Sequence, residues 1–203
     1  MAGSLRELEQ DSAILYDPAF ISSGDADRLL SNLSCELEWR QDRIHIYGRS
    51  VSIPRLQAFV AEPGLSYTYS GLTLTGAGFP PVLQQLRERL AVELGVEFNA
   101  LLANLYRDGS DTMGWHSDDE PELGRDPIIA SITLGAERSF KFRPKGGGAS
   151  WGIELEHGSL LLMGAGVQSR WQHALPKRSR CQQPRINLTF RRILQEIRDE
   201  PGY

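Results

Sequence analysis

The sequence has little of what marks secreted, membrane-spanning or fibrous proteins. Its 203 residues include only two cysteines, Cys35 and Cys181, which are too few for a disulfide scaffold and are typical of a reducing intracellular compartment. No apolar run approaches the ~18 residues that a membrane-spanning helix needs. Residues 1–15 carry acids and lack the long apolar core of a secretory signal. We therefore expect an intracellular monomer, cytoplasmic if the source is bacterial, with no membrane partner.

A strong excess of one charge is also absent. The 22 Lys and Arg and the 26 Asp and Glu leave a net charge of −4, and this balance by itself argues against nucleic-acid binding, because such domains usually run basic. The charges are nevertheless segregated. Residues 1–40 hold eight acids against three arginines, whereas residues 170–198 hold eight basic residues against one acid. A basic face suits phosphates and an acidic pocket suits a metal, although an ordinary solvated surface gives similar runs.

The apolar spacing predicts two helices and many strands. Leucines at helical spacing predict a helix in residues 22–38, and Pro80 and Gly95 bracket a second one. Alternating residues predict a hairpin in 39–53 and a strand in 66–72. The C-terminal half consists of short strand-like segments separated by Gly, Pro and Asp clusters. The prediction is an α+β, mainly β domain, with two helices packed outside a strand-rich barrel.

Histidine is scarce, which makes its placement informative. One of the four histidines begins a His-x-Asp pair, His116 and Asp118. In a strand, residues i and i+2 point to the same face, so the imidazole and the carboxylate would lie side by side. Together with His173 from a later strand, they would form a set of two histidines and one carboxylate, which is diagnostic of non-haem Fe(II) with open positions. Because about 0.2 such pairs arise by chance, a structural histidine beside a surface aspartate stays the alternative for the pair alone.

A second pattern of period two lies near the C-terminus, in the segment P-R-I-N-L-T-F-R. Its polar members are Arg185, Asn187, Thr189 and Arg191. An inward-facing pair of arginines would be costly unless it binds an anion, whereas an outward-facing pair would mark a plain amphipathic edge strand. Arginine forks bind carboxylates through two hydrogen bonds, so two of them suit a dicarboxylate. With Asn104 and Tyr106 in the same cavity, the iron set and the dicarboxylate cradle predict a 2-oxoglutarate-dependent oxygenase.

The order and spacing of four motifs resemble those of one family. The motifs are N-L-Y at 104–106, W-H-S-D-D-E at 115–120, W-Q-H at 171–173 and P-R-I-N-L-T-F-R at 184–191. Residues 45–191 thereby resemble the AlkB family of Fe(II)/2-oxoglutarate dioxygenases, which repair alkylated nucleic acid. The stretches Y-G-R-S-V-S-I-P-R and G-L-S-Y-T-Y-S-G-L-T-L look most like the duplex-DNA members.

The resemblance implies a fold and a division of the chain. The fold is a double-stranded β-helix, or jelly-roll barrel, with N-terminal helices packed outside and a nucleotide-recognition lid. Residues 1–96 would form the N-terminal extension, the helices and the lid. Residues 97–203 would form the catalytic core, and the two segments would make one integrated domain.

The resemblance also implies roles for individual residues at the metal and the cosubstrate. Fe(II) would be ligated by His116, Asp118 and His173. The distal carboxylate of 2-oxoglutarate would be bound by Arg185, Asn187 and Tyr106. Its metal-binding end would be contacted by Arg191 and Asn104. Thr189 would line the cofactor site from the strand of Arg185 and Arg191. The implied cofactors are Fe(II), 2-oxoglutarate and O₂.

A third set of residues would bind a base flipped out of the nucleic acid, because a stacked base cannot reach the iron. Tyr47 matches a finger that fills the gap left in the duplex, and Tyr69 and His116 would sandwich the base. Asp119 and Glu120 would meet its polar edge. The remaining members of the set are Arg55, Tyr67 and Ser70.

The implied reaction is oxidative demethylation of alkylated DNA bases, such as N1-methyladenine and N3-methylcytosine, with release of formaldehyde, succinate and CO₂. The implied partner is alkylated DNA, either single- or double-stranded. Two alternatives keep the chemistry and change the substrate, to methylated RNA or to a protein side chain. A third alternative is a barrel that binds its ligand without catalysis.

Overall fold

Two antiparallel sheets pack face to face and form the body of the protein. The computed structural model describes residues 5–8, 10–46, 49–69 and 72–194. The strands are β1 (Arg6–Leu8), β2 (Asp11–Asp17), β3 (Arg43–Ile46), β4 (Arg49–Ser52), β5 (Leu56–Ala61), β6 (Ser66–Tyr69), β7 (Leu72–Thr75), β8 (Ala100–Tyr106), β9 (Met113–His116), β10 (Ile129–Gly135), β11 (Arg138–Pro144), β12 (Trp151–Leu155), β13 (Leu160–Met163), β14 (Trp171–Leu175) and β15 (Arg185–Arg191). The helices are α1 (Ser23–Glu36), α2 (Pro81–Leu94) and α3 (Val167–Arg170), with a 3₁₀ turn at Pro121–Leu123.

The larger sheet has seven strands in the order β1-β2-β13-β10-β15-β8-β5, and the smaller sheet has four in the order β12-β11-β14-β9. Two further hairpins, β3-β4 and β6-β7, stand apart from the sheets. This is the α+β, mainly β fold that the sequence predicts, and it is consistent with a double-stranded β-helix. The division at residue 96 stays a prediction. Strands from both of its segments share the larger sheet.

The core has a layer on each side of the larger sheet. Apolar residues of α1 and α2, such as Leu33 and Leu90, pack with Leu188 and Phe190 of β15, so the helices cover the outer face of this sheet. On its inner face, residues such as Ile129 pack against aromatic side chains of the smaller sheet. The prediction of two helices outside a barrel is therefore confirmed.

The predicted helix boundaries hold because the ends are capped as the sequence indicates. The Ser22 side chain accepts the backbone N–H of Asp25 at the start of α1, at 3.3 Å. Helix α2 opens with Pro81 and ends at Gly95, whose φ of 66° lies in the left-handed region that glycine tolerates. No helix in the described ranges is long and apolar enough to cross a membrane.

The sequence pattern does not predict β1, β2 and β5. Strand β2 begins and ends with aspartate, and its Asp17 accepts the N–H of Ala19 at 2.9 Å, which turns the chain toward α1. Strand β5 lies between Pro54 and Pro63, which we read as loop residues. Strand β5 pairs with β8, and β2 pairs with β13. These long-range pairings override the local sequence signals for turns and loops.

One buried arginine ties the loops at one end of the barrel together. Arg138, which opens β11, is 1% exposed and donates to the backbone carbonyls of Asp108, Asp111 and Pro176 at 2.7–3.1 Å. These carbonyls belong to the β8–β9 and β14–β15 connections, which lead into the strands of the candidate site. The guanidinium therefore joins these two connections by side-chain hydrogen bonds, at a place where the described residues form no strand pairing.

We expect Arg138→Ala to lower the free energy of unfolding by about 3–5 kcal/mol, because three buried carbonyls lose charged donors. Urea denaturation measures the change. Arg28→Ala is the matched control, since its side chain is 72% exposed and pairs only on the surface of α1. Equal denaturation midpoints for the two variants would contradict the role assigned to Arg138.

Candidate metal and cofactor site

A narrow cavity lies between the inner faces of the two sheets. It is lined by Asn104, Tyr106, Met113, His116, Asp118, Ser131, Phe140, Met163, His173, Arg185, Asn187, Thr189 and Arg191. The lining therefore includes all nine residues that the sequence predicts for the metal and the cosubstrate. It also includes four residues that the sequence reasoning missed.

Three of the lining residues form a group with the spacing of metal ligands. His116 at the end of β9 is directly opposite His173 of β14, and their ring centroids are 4.3 Å apart. Asp118 follows two residues beyond β9. One ligand atom from each of the three residues lies within 4.8 Å of the others. Asp118 and His173 are each only 2% exposed, so the group lies inside the cavity and not on the surface.

The protonation states suit a divalent cation. Burial and the neighbouring His116 lower the pKa of His173 to about 3, and burial also lowers the pKa of His116. Burial alone would raise the pKa of Asp118, but the Arg191 guanidinium lowers it below its ordinary value. At neutral pH the group therefore offers two neutral imidazoles and one carboxylate. Nδ1 of His173 is buried without a hydrogen-bond partner among the described residues, which leaves a donor atom that an ion would satisfy. The residues thus fit Fe(II).

Arg191, at the end of β15, holds the carboxylate of this group in place. Its Nη2 lies 2.6 Å from Oδ1 of Asp118, and its Nη1 donates to the hydroxyl of Tyr67 at 2.9 Å. The three side chains are buried together. The arginine therefore orients Asp118 and keeps it ionised.

Strand β15 presents its polar residues to the cavity, as the period of two predicts. Ile186, Leu188 and Phe190 point the other way, into the core beneath the helices. On the cavity side, Asn187 pairs with Asn104 and Arg185 pairs with Tyr106 in the register of β15 and β8. The alternative of an outward-facing amphipathic edge strand is therefore wrong, since β15 lies inside the larger sheet.

Arg185 is a buried cation that hydrogen-bonds to neutral side chains. It is 2% exposed, donates to Oγ1 of Thr133 at 2.8 Å and to Oδ1 of Asn187 at 2.9 Å, and lies 5.3 Å from the centre of the Tyr106 ring. Burial lowers its pKa to about 10, so it stays charged at neutral pH. Within the described part of the chain no carboxylate pairs with it, and its buried Nε has no acceptor. An anion such as a ligand carboxylate fits this place.

Two hydroxyls of β10 complete the polar wall. Ser131 donates to Oδ1 of Asn187 at 2.9 Å, Thr133 accepts from Arg185, and Asn187 in turn donates to Thr189 at 2.6 Å. Sequence reasoning missed both hydroxyls. Their spacing of two in the strand I-A-S-I-T-L-G carries the same signal that identified β15.

Arg55, which the resemblance assigns to the substrate, lies in the interior beside the cavity. Its side chain is 3% exposed, and its Nε donates to Oδ1 of Asn104 at 2.7 Å. Because Asn104 lines the cavity, this bond places the Arg55 guanidinium next to a predicted cofactor residue, and its contact with substrate stays a prediction. Tyr67 is likewise buried, stacked on Phe59 at 5.8 Å, and meets Arg191 through its hydroxyl.

The other predicted substrate residues are placed only in part. Tyr47 and Ser70 lie outside the described residues, and so does the side chain of Tyr69. Asp119 is 58% exposed and pairs with Lys145, Oδ2 to Nζ at 2.7 Å. The carboxyl of Glu120 is half-buried, and burial and the neighbouring Asp118 raise its pKa above the usual value.

Comparisons with known proteins agree with this geometry. The family model described as the 2OG-Fe(II) oxygenase superfamily matches residues 13–191. The chain is 40% identical over 200 residues to human "Alpha-ketoglutarate-dependent dioxygenase alkB homolog 3", covering 94% of this chain and 69% of that protein. It is 39% identical over 198 residues to mouse "DNA oxidative demethylase ALKBH2", covering 92% and 81%. The solved structure titled "The structure of OsALKBH1" matches with a TM-score of 0.64 at 15% identity, covers 93% of this chain and all of that one, and shows the fold.

We expect the protein to bind one Co(II) per chain without oxygen, and His116→Ala to lose this binding. Cobalt reports the ligand set through its visible absorption bands, which the change of one imidazole donor removes. His157→Gln is the matched control, because His157 lies outside the group and accepts the N–H of Gly135 at 2.8 Å. Retained cobalt bands in His116→Ala would show that the metal lies elsewhere.

Proposed function

Since this chain belongs to the AlkB family of the 2OG-Fe(II) oxygenase superfamily, we propose that it removes alkyl groups oxidatively from the bases of DNA. One observation carries the proposal. The group of His116, Asp118 and His173 shares its cavity with the buried, carboxylate-free guanidinium of Arg185. A site for a cation and a site for an anion in one cavity are what an Fe(II) enzyme with a dicarboxylate cosubstrate requires.

The cofactors of this protein are Fe(II), 2-oxoglutarate and O₂. When bound, they supply the oxidation of an N-alkyl group, so that an N-methyl group leaves as formaldehyde while 2-oxoglutarate yields succinate and CO₂. We assign Fe(II) to His116, Asp118 and His173. We assign the distal carboxylate of 2-oxoglutarate to Arg185, with Asn187 holding that guanidinium in place.

The protein itself orients the reactants and excludes water. The register of β8, β10 and β15 fixes the polar wall, so the backbone holds Arg185 and Asn187 in place before the cosubstrate binds. Phe140 and Met163 contribute apolar surface to the same cavity. This surface limits the water that reaches the reacting groups.

The rim of the cavity suits a cationic base joined to phosphates. N1-methyladenine and N3-methylcytosine are cationic, and Asp119 and Glu120 place two carboxyl groups directly after the metal segment. Beside them, Lys145 pairs with Asp119, and the Arg143 guanidinium lies 4.5 Å from the centre of the Trp115 ring. We propose that the carboxyl groups meet the flipped base and that these basic residues meet its phosphates.

The lid hairpins complete the proposal. Strands β3 and β4 flank residues 47–48, and β6 and β7 flank residues 70–71. We propose Tyr47 as the finger that enters the gap left by the flipped base. Tyr69 is proposed to stack on that base.

The activity is tested by formaldehyde release from oligonucleotides that carry one N1-methyladenine. We expect release that depends on Fe(II) and 2-oxoglutarate with methylated DNA, and none with His116→Ala, because one imidazole ligand is lost. The same lesion is compared in duplex DNA, single-stranded DNA and RNA, with His157→Gln as the active control. Release from RNA alone would favour the RNA alternative. No release from any strand by a protein that binds both cofactors would contradict nucleic-acid demethylation.

We expect Arg185→Lys to weaken 2-oxoglutarate binding by about 10- to 100-fold, because a point charge replaces a planar fork of donors. Calorimetric titration of 2-oxoglutarate without oxygen, in the presence of Mn(II), measures the dissociation constant. Co(II) affinity is the internal control and should stay as in the unchanged protein. Equal losses of 2-oxoglutarate and metal would mean that Arg185 does not hold the cosubstrate.

A further inference from the structure

One side chain touches two of the three proposed metal ligands, and it belongs to neither of their strands. Gln168 lies in the short helix α3, just before β14, and is 2% exposed. Its Oε1 accepts the backbone N–H of Asp118 at 2.9 Å and lies 3.1 Å from Nε2 of His173. Its amide nitrogen faces Sδ of Met163 at 3.5 Å. All polar atoms of this buried amide therefore point at the metal segment or at the cavity wall.

The strand ladder alone does not hold the ligands at their spacing. Strands β9 and β14 are joined by only two registered pairs, His173 with His116 and Leu175 with Met113, and the register shifts between them. Asp118 lies beyond the end of β9, so no ladder bond fixes it among the residues that the structure describes. Its carboxylate is oriented by Arg191, but its backbone is held by Gln168.

A second contact shows that side chains replace the ladder in this segment. Ser117, between the two ligands of the His-x-Asp pair, donates from Oγ to the carbonyl of Trp171 at 2.9 Å. This bond fastens the segment to the start of β14. The bond from Asp118 to Gln168 fastens the same segment to α3, which directly precedes β14 in the chain. Of the two, only the contact with Gln168 also reaches a ligand imidazole.

We propose that Gln168 is a positioning residue of the metal site, whose amide oxygen sets the separation of Asp118 and His173 before the metal binds. The proposal rests on the metal site of the proposed function and adds a determinant of its affinity. Groups that hold metal ligands from behind change affinity by about 10- to 100-fold when they are removed. Gln168 is expected to have an effect of that size, because its loss leaves a buried N–H without an acceptor next to a ligand.

The test compares variants of Gln168 that keep or remove the acceptor. Gln168→Met has a similar length and no acceptor, whereas Gln168→Glu keeps an oxygen at the same reach. We expect Met to weaken Co(II) binding by about 10- to 100-fold and to change the cobalt bands, and Glu to retain most of the affinity. Anaerobic calorimetry and visible absorption measure the two effects on the full chain.

Two further variants separate positioning from packing. Ser169→Ala is the matched control in the same helix, since its hydroxyl bonds only to Gly166 among the described contacts, and it should bind Co(II) like the unchanged protein. Gln168→Asn keeps the amide on a shorter side chain and should lose affinity as Met does, which supplies a second readout if one variant folds poorly. Thermal unfolding of each metal-free variant reports the packing effect separately.

The outcomes distinguish this inference from the proposed function. If the unchanged protein binds Co(II), His173→Ala loses it, and Gln168→Met binds as tightly as the unchanged protein, the positioning role is overturned while the metal site stands. Equal losses in Gln168→Met and Gln168→Glu also overturn it, because the acceptor then makes no difference. If His173→Ala binds Co(II) like the unchanged protein, the metal site of the proposed function fails instead.

Discussion

The ion pair between Arg191 and Asp118 is the contact on which the site depends. Its atoms are 2.6 Å apart, and the two side chains are 5% and 2% exposed. A buried pair adds little net stability, but the loss of either partner leaves a charge in the interior. The pair joins the last residue of β15 in the larger sheet to the segment that follows β9 in the smaller one. It therefore fixes the two sheets relative to each other at the position where the three ligands converge.

The buried arginines of the barrel differ in what compensates their charge. Arg138 donates to three backbone carbonyls, and Arg191 pairs with a carboxylate. Arg185 donates to a hydroxyl and an amide oxygen and lies against the Tyr106 ring, and no carboxylate of the described residues pairs with it, although its burial is as complete. Because a buried cation without a counter-charge is costly, Arg185 lowers the stability of the folded protein when no anion is bound. This difference indicates where an anionic cosubstrate belongs, and it is visible only once burial is known.

The strand period was enough to predict the parts of the site that lie on regular strands. The spacing of two placed Arg185 and Asn187 on the cavity face of β15. It also paired His116 with Asp118, although Asp118 lies just beyond the end of β9. The strand period did not place Arg55, because the sequence alone does not distinguish an arginine in a loop from a solvated surface charge. The buried bond of Arg55 to Asn104 is visible only in the structure. The strands β1, β2 and β5 were missed for a related reason. Their pairing is long-range, and local patterns do not record it.

Gln168 carries no signal in the sequence, since a glutamine in a four-residue helix has no period and no motif. Its importance follows from where the ladder stops. The pairing of β9 and β14 ends before Asp118, so a ligand that is only 2% exposed lies on a segment without strand bonds in the described structure. Two side chains from different elements therefore hold Asp118. Arg191 of β15 fixes the charge of the carboxylate, and Gln168 of α3 fixes the backbone that carries it. A site built in this way can be loosened at the backbone without any loss of its ligands or of the charge that orients them.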